Sequence, residues 1–187
     1  MNFRSKPFLC IIPLLGLLTG CATTSRAPIP TVTHVDLPRF MGDWHVIAHI
    51  PTFIERQAHH AVESYTLAPD GTIATTFTFR QGGPDGPLKR YTPRGFVRDP
   101  ESNATWGMQF IWPVKADYRI VYLDSDYQHT LIGRDKRDYL WIMARYAPLS
   151  DEKLTKLIDF AVALGYDREI IEITNWQSAS LKAVIDQ

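Results

Sequence analysis

The chain has 187 residues, with 20 Lys+Arg against 20 Asp+Glu, 45% hydrophobic and 12% aromatic residues. A balanced charge with no basic stripe gives nucleic acid nothing to bind. The two cysteines, Cys10 and Cys21, are too few for a disulfide scaffold or a Cys-based metal site.

The first twenty residues read as an export signal rather than as part of a fold. Arg4 and Lys6 precede an apolar run from Phe8 to Leu18, which is too short and too lightly flanked to be a stable membrane span. Leu18-Thr19-Gly20-Cys21 resembles the bacterial lipobox, so Cys21 is expected to become the first residue and to carry diacylglycerol and a fatty acid such as palmitate. Ala22, where an aspartate would favour inner-membrane retention, directs the expectation to the outer membrane, with the domain facing the periplasm. Removing Arg4 and Lys6 leaves 18 basic against 20 acidic residues, a net charge of −2, so attachment rests on acyl chains. The export signal takes Cys10 with it, leaving the mature domain without a free thiol. Residues 21–36, with Pro28 and Pro30, are expected to form a semi-rigid tether, 37–177 the domain, and 178–187 a tail with no assigned role.

Short β-type runs follow: Trp44–Ile50, Ala61–Leu67, Thr72–Arg80, Leu88–Val97, Ala104–Trp112, Tyr118–Leu123, Thr130–Arg134 and Tyr139–Arg145. Pro69-Asp70-Gly71 and the stretch Gly82 to Pro87 punctuate them as turns, and Pro93 predicts a break or edge inside its run. Many short strands at close intervals predict a sandwich or barrel. The period then changes. Leu154, Leu157, Ile158, Ala161, Val162 and Leu164 recur at helical spacing, with Ser150 as N-cap and Gly165 as the stop. That helix must bury its stripe on the outside of the sheet, where Ile47 is a candidate partner. Ile170–Thr174 suits a short ninth strand.

Strand alternation places Trp44, Val46, Ala48 and Ile50 on one face. The other runs each carry a heavy aromatic face: Ile73, Phe77 and Phe79; Trp106, Met108, Phe110 and Trp112; Tyr118, Ile120 and Tyr122; Tyr139, Trp141 and Met143. Such rings line a ligand cavity or fill a solid core equally well, and the residues alone leave both open.

Three blocks resemble the lipocalin family. Phe40 to Ala48 is similar to its first motif, with Gly42 and Trp44 in place. Leu123-Asp124-Ser125-Asp126-Tyr127 is similar to its second, with Ser125 where threonine is usual. Tyr139 to Arg145 is similar to its third, with the arginine intact. Asp138 to Ile142 and the acidic helix opening Ser150-Asp151-Glu152 are especially close to the bacterial branch, in the apolipoprotein D-like subgroup. The resemblance implies an all-β fold: an eight-stranded up-and-down antiparallel barrel with one C-terminal α-helix packed outside. It implies that Gly42, Trp44 and Arg145 close one end, Arg145 stacking on Trp44. It also implies a cavity for fatty acids or lysophospholipids at the outer membrane, serving envelope maintenance under stress. The expected lining is Phe77, Phe79, Trp106, Met108, Phe110, Trp112, Tyr118, Ile120, Tyr122, Tyr139, Trp141 and Met143. Neither cofactor nor metal is called for, and whether two copies pair is left open.

Three other readings compete, one of them a structural tether whose barrel is solid. A tetrapyrrole binder would use His34, His59 or His60 near the mouth. An enzyme acting on a lipophilic substrate would draw on Glu55, His59 and His60, or on Asp124 and Asp126. No third metal ligand stands at suitable spacing and no Gly-x-Ser-x-Gly elbow is present, while the aspartates suit a turn. Tyr118, Tyr122 and Arg119 are the candidates for a ligand's head group, although Arg119 has the wrong parity if Tyr118 faces inward.

Overall fold

The computed structural model describes residues 27–174 and Trp176. The signal segment, Cys21 and the tail from 178 lie outside the described residues. A four-residue helix, α1 (Leu37–Phe40), leads into the strands β1 (Gly42–Ile50), β2 (Ala58–Leu67), β3 (Ile73–Gln81), β4 (Leu88–Tyr91), β5 (Arg94–Val97), β6 (Thr105–Ile111), β7 (Val114–Leu123), β8 (His129–Gly133) and β9 (Leu140–Ala144). The helix α2 (Asp151–Ala163) and a two-residue strand β10 (Glu172–Ile173) follow. All pairings are antiparallel, neighbours in sequence pair in order, and β9 returns to β1. The sheet is therefore closed through β5, and among the described strands the short β4 and β10 pair on one side only.

β4 and β5 both pair with β3 and share one barrel position, interrupted at Pro93, which has no N–H for the ladder. Counted this way the barrel has the eight predicted strands. β10 adds to β1 outside the closure.

Two bulges overturn the simple alternation. On β1 the register slips between Val46 and Ala48. Trp44 and Val46 face inward and Ile47 outward as expected, but Ala48 and Ile50, expected inside, pack with the outer cluster. His49 takes the inward register opposite Trp141. On β7 the slip lies between Ile120 and Tyr122. Tyr118 and Ile120 stay inside, whereas Tyr122 lies outside, its ring 5.2 Å from that of Phe160 on α2. An extra residue in one strand turns every later side chain to the other face.

The outer cluster is what α2 was expected to cover. Ser150 caps the helix by accepting from Lys153 N, and Gly165, at φ +94°, sits in the left-handed conformation that ends it. Leu157, Ile158 and Ala161 are buried against Ile47, Leu131, Leu140 and Ile142. Leu157→Ala is expected to cost about 2–4 kcal/mol, read as a lower urea midpoint at unchanged slope. An unshifted midpoint would mean that α2 is not integral to the barrel.

The tether expectation needs correction from residue 27 onward. Ile29 and Val35 are buried, and Val32 N donates to Ile120 O while Val35 N donates to Ser102 O. Ile29 N is held by Asp135 Oδ1 at 2.8 Å. The segment from residue 27 thus packs along the barrel.

Candidate functional site: a cavity above a sealed floor

The three motif blocks meet at one end of the barrel. Asp36 caps α1 by accepting from Arg39 N, which sets Phe40 beneath the strands. Trp44 Nε1 donates to Phe40 O at 2.9 Å. The Arg145 guanidinium lies 3.8 Å from the centre of the Trp44 ring. It donates to the carbonyls of Arg39, Phe40, Asp43 and Tyr127. Gly42, at φ +95°, makes room for it: a Cβ there would stand 3.2 Å from Arg145 Nη1. The second block joins through Tyr127, whose ring lies under Arg39 at 4.0 Å and whose hydroxyl accepts from Asp36 N.

Asp124 organises that turn. It accepts from Gln128 N, His129 N and His129 Nδ1. Burial pushes its carboxyl up, but the bonds from His129 and Gln128 outweigh this and hold it below the usual carboxylate range. Asp124 thus serves the floor, as the turn reading expected, while the exposed Asp126 carboxylate bonds only its neighbour Ser125 Oγ among the described residues.

Above the floor the interior is aromatic. Trp106 and Tyr118 stack with centroids 5.1 Å apart, and the Tyr65 and Tyr118 hydroxyls bond at 2.7 Å. Higher still, a cavity of about 350 Å³ opens between Phe77, Met108, Ala116 and Trp141. Its mouth lies among the β1–β2 loop, the β6–β7 turn and the β8–β9 loop. Phe53, Ile111 and Val114 stand exposed around this rim.

Of the expected lining, Phe77, Met108, Tyr118, Tyr139 and Trp141 border the cavity, with Phe110 at its half-exposed rim. Phe79, Trp106, Ile120 and Met143 point into the barrel but are consumed in the packed interior around it. Trp112 is a correction: it sits beyond β6 at the turn and is 82% exposed. The register slip between Met108 and Ile111 ends the alternation that placed it inside. Tyr122, turned outward by its bulge, is the other. Arg119 also faces away, paired with Asp117 and Asp135.

The charged residues that do border the cavity went unrecognised as lining. Glu55 holds Trp141 Nε1 at 2.6 Å and accepts from Thr52 N, with His49 Nδ1 4.0 Å away. Burial raises its carboxyl, yet these neighbours outweigh burial and leave it below its ordinary value. Glu63 is the opposite case. Burial, followed by the Glu55 charge, pushes it up to about 8. Arg134 at the mouth lies 5.0 Å from the Tyr139 ring centre and 3.4 Å from Asp138. Glu63 shares strand parity with the inward Ala61 and Tyr65, the one sequence signal that points to it.

None of the three proposed tetrapyrrole-binding histidines borders this cavity. His34 bonds Glu101 O at the floor end, His60 stacks on Trp176 outside, and His59 flanks a smaller pocket beside Glu55. No cluster of three metal-ligating side chains occurs among the described residues.

A closed antiparallel barrel with a plugged floor, an open apolar interior and one external helix defines the class of single-chamber binding barrels. Insecticyanin of the tobacco hornworm Manduca sexta has this fold, with a TM-score of 0.64 at 14% identity over 82% of this chain and 87% of that one. Apocrustacyanin C2 aligns with a TM-score of 0.62 at 12% identity, covering 79% and 84% of the two chains. The chain belongs to the lipocalin-like family, whose domain model matches residues 35–175. It is 35% identical to temperature-induced lipocalin-1 of Arabidopsis thaliana over 77% of this chain and 81% of that protein. It is 29% identical to the outer membrane lipoprotein Blc of Citrobacter freundii, over 88% and 93%.

Proposed function

We propose that this chain is a lipid carrier of the bacterial outer membrane, anchored through acylated Cys21 and holding a fatty acid or lysophospholipid in its barrel for envelope maintenance. The observation that carries the reading is the open, apolar cavity of about 350 Å³ above a sealed floor. Burial of an acyl chain there is favoured at about 25 cal/mol per Å² of apolar surface. Arg134 stands where an anionic head group would emerge. The resemblance to an outer membrane lipoprotein over most of both chains supports the location. No catalytic step is proposed: Glu55 is fully engaged in structural bonds, and Asp124 and Asp126 belong to a turn.

The test is to express the full chain in a bacterium, fractionate the envelope, and examine the protein by native mass spectrometry and organic extraction. A diacylated chain starting at Cys21 with co-purifying fatty acid or lysophospholipid is the expected result. Cys21→Ser is expected to move the protein from the membrane to the soluble fraction. A membrane-bound Cys21→Ser variant would overturn the anchor, and visible absorbance from a bound chromophore would overturn the lipid cargo.

A further inference from the structure

The carrier reading asks only for an apolar chamber, and Glu63 does not fit that description. It stands on β2 in register with Trp44 of β1 and Phe77 of β3, two apolar neighbours. It borders the cavity, is more than nine-tenths buried, and its Oε2 atom has no hydrogen-bond partner. An unpartnered buried carboxyl oxygen is costly, and a fold retains one only where something compensates.

We propose that Glu63 is a hydrogen-bonding station near the base of the cavity that selects ligands carrying an uncharged acceptor oxygen, such as a ketone or ester carbonyl, at their buried end. This rests on the carrier reading and specifies its cargo. The groups facing Glu63 support it. Glu55, towards the mouth, is ionised and repels a second negative charge. The Tyr65 and Tyr118 hydroxyls below bond each other, and Tyr65 also reaches the Glu63 carboxyl and lowers it, an effect that burial and the Glu55 charge outweigh while Oε2 stays without a partner. Arg134 and Asp117 lie at the cavity edge, engaged with Asp138 and Arg119 respectively. β1 and β3 bring no compensating cation to Glu63's own register positions. Its carboxyl, raised to about 8, therefore carries a proton at neutral pH. A protonated carboxyl donates to a carbonyl, whereas a carboxylate would repel it. A ligand carboxylate is disfavoured at this depth, which orients a fatty acid with its head at the mouth.

The experiment is displacement of a fluorescent fatty acid by dodecanoate and by 11-oxododecanoate, which carries a methyl ketone at the end remote from its carboxylate. Wild type, Glu63→Gln and Glu63→Leu are compared at pH 6 and pH 9. Wild type at pH 6 is expected to bind the two probes within roughly threefold, because the donor compensates the carbonyl's lost water. A buried carbonyl without a donor loses roughly tenfold or more. Glu63→Leu should therefore favour dodecanoate by that factor at both pH values, and wild type should do so at pH 9. Glu63→Gln, whose amide donates at either pH, should keep the near-equal ratio throughout. The same ratio in wild type and Glu63→Leu at both pH values would overturn the station. Displacement by neither probe in wild type would instead overturn the carrier reading on which it rests.

Discussion

Trp44→Ala is expected to destabilise the barrel by about 3–5 kcal/mol, the range for truncating a large buried aromatic. Trp44 is fully buried, packs on Phe40 with centroids 5.0 Å apart, and donates to the Phe40 carbonyl. Its removal leaves a void, takes one of two donors from the Phe40 carbonyl, and takes away the surface on which Arg145 rests. Arg145→Lys should also be costly. A single ammonium cannot reach the four carbonyls that the planar guanidinium serves. The double variant should show coupling of about 0.5–2 kcal/mol, the worth of a cation over an indole. Urea unfolding of the four proteins measures this. Wild-type midpoints for Trp44→Ala, or strict additivity of the pair, would remove the floor from the account.

Glu63→Gln is expected to act in the other direction. An acid whose pKa rises from its ordinary value of 4.5 to about 8 on folding binds its proton more tightly in the folded state. Below 4.5 the group is protonated in both states and contributes nothing to the pH dependence. As pH rises from 4.5 to 8, only the unfolded chain gains from ionisation, so stability falls across that window and levels off above it. At pH 7 the deficit is on the order of 3 kcal/mol, from 1.36 kcal/mol per pH unit. Glu63→Gln should recover most of it at pH 7 and little at pH 4. Parallel stability-against-pH curves for wild type and Glu63→Gln would contradict a proton-holding Glu63. On the proposal above, this destabilising glutamate is the counterpart of a ligand contact.

Much of this architecture was legible because local signals agree with the global fold. Ser150 and Gly165 bracket α2, Pro93 breaks its strand, and Gly42, Trp44 and Arg145 meet as the resemblance implied. What escaped sequence reasoning was governed by events no alternation rule contains. One extra residue between Val46 and Ala48 moves Ala48 and Ile50 under the helix and brings His49 inside. Another between Ile120 and Tyr122 sends Tyr122 to the helix side. Both departures place bulk on α2 rather than in the chamber. The docking of residues 27–36 depends on backbone bonds to Ser102 and Ile120, which carry no sequence signature. Glu63 was hidden by its chemistry: a glutamate in a strand reads as outward, although its parity with Ala61 and Tyr65 places it within.

The central claim, that the barrel holds an acyl chain in the cavity above Trp44 and Arg145, is tested most directly by filling that cavity. Ala116 borders it on β7, opposite Met108 in register. Wild type and Ala116→Trp are each titrated with a fluorescent fatty acid, and their thermal unfolding is compared. Wild type is expected to bind saturably and one-to-one, and Ala116→Trp at least tenfold more weakly while still folded. Equal affinity in the two folded proteins would place the lipid elsewhere and contradict the account.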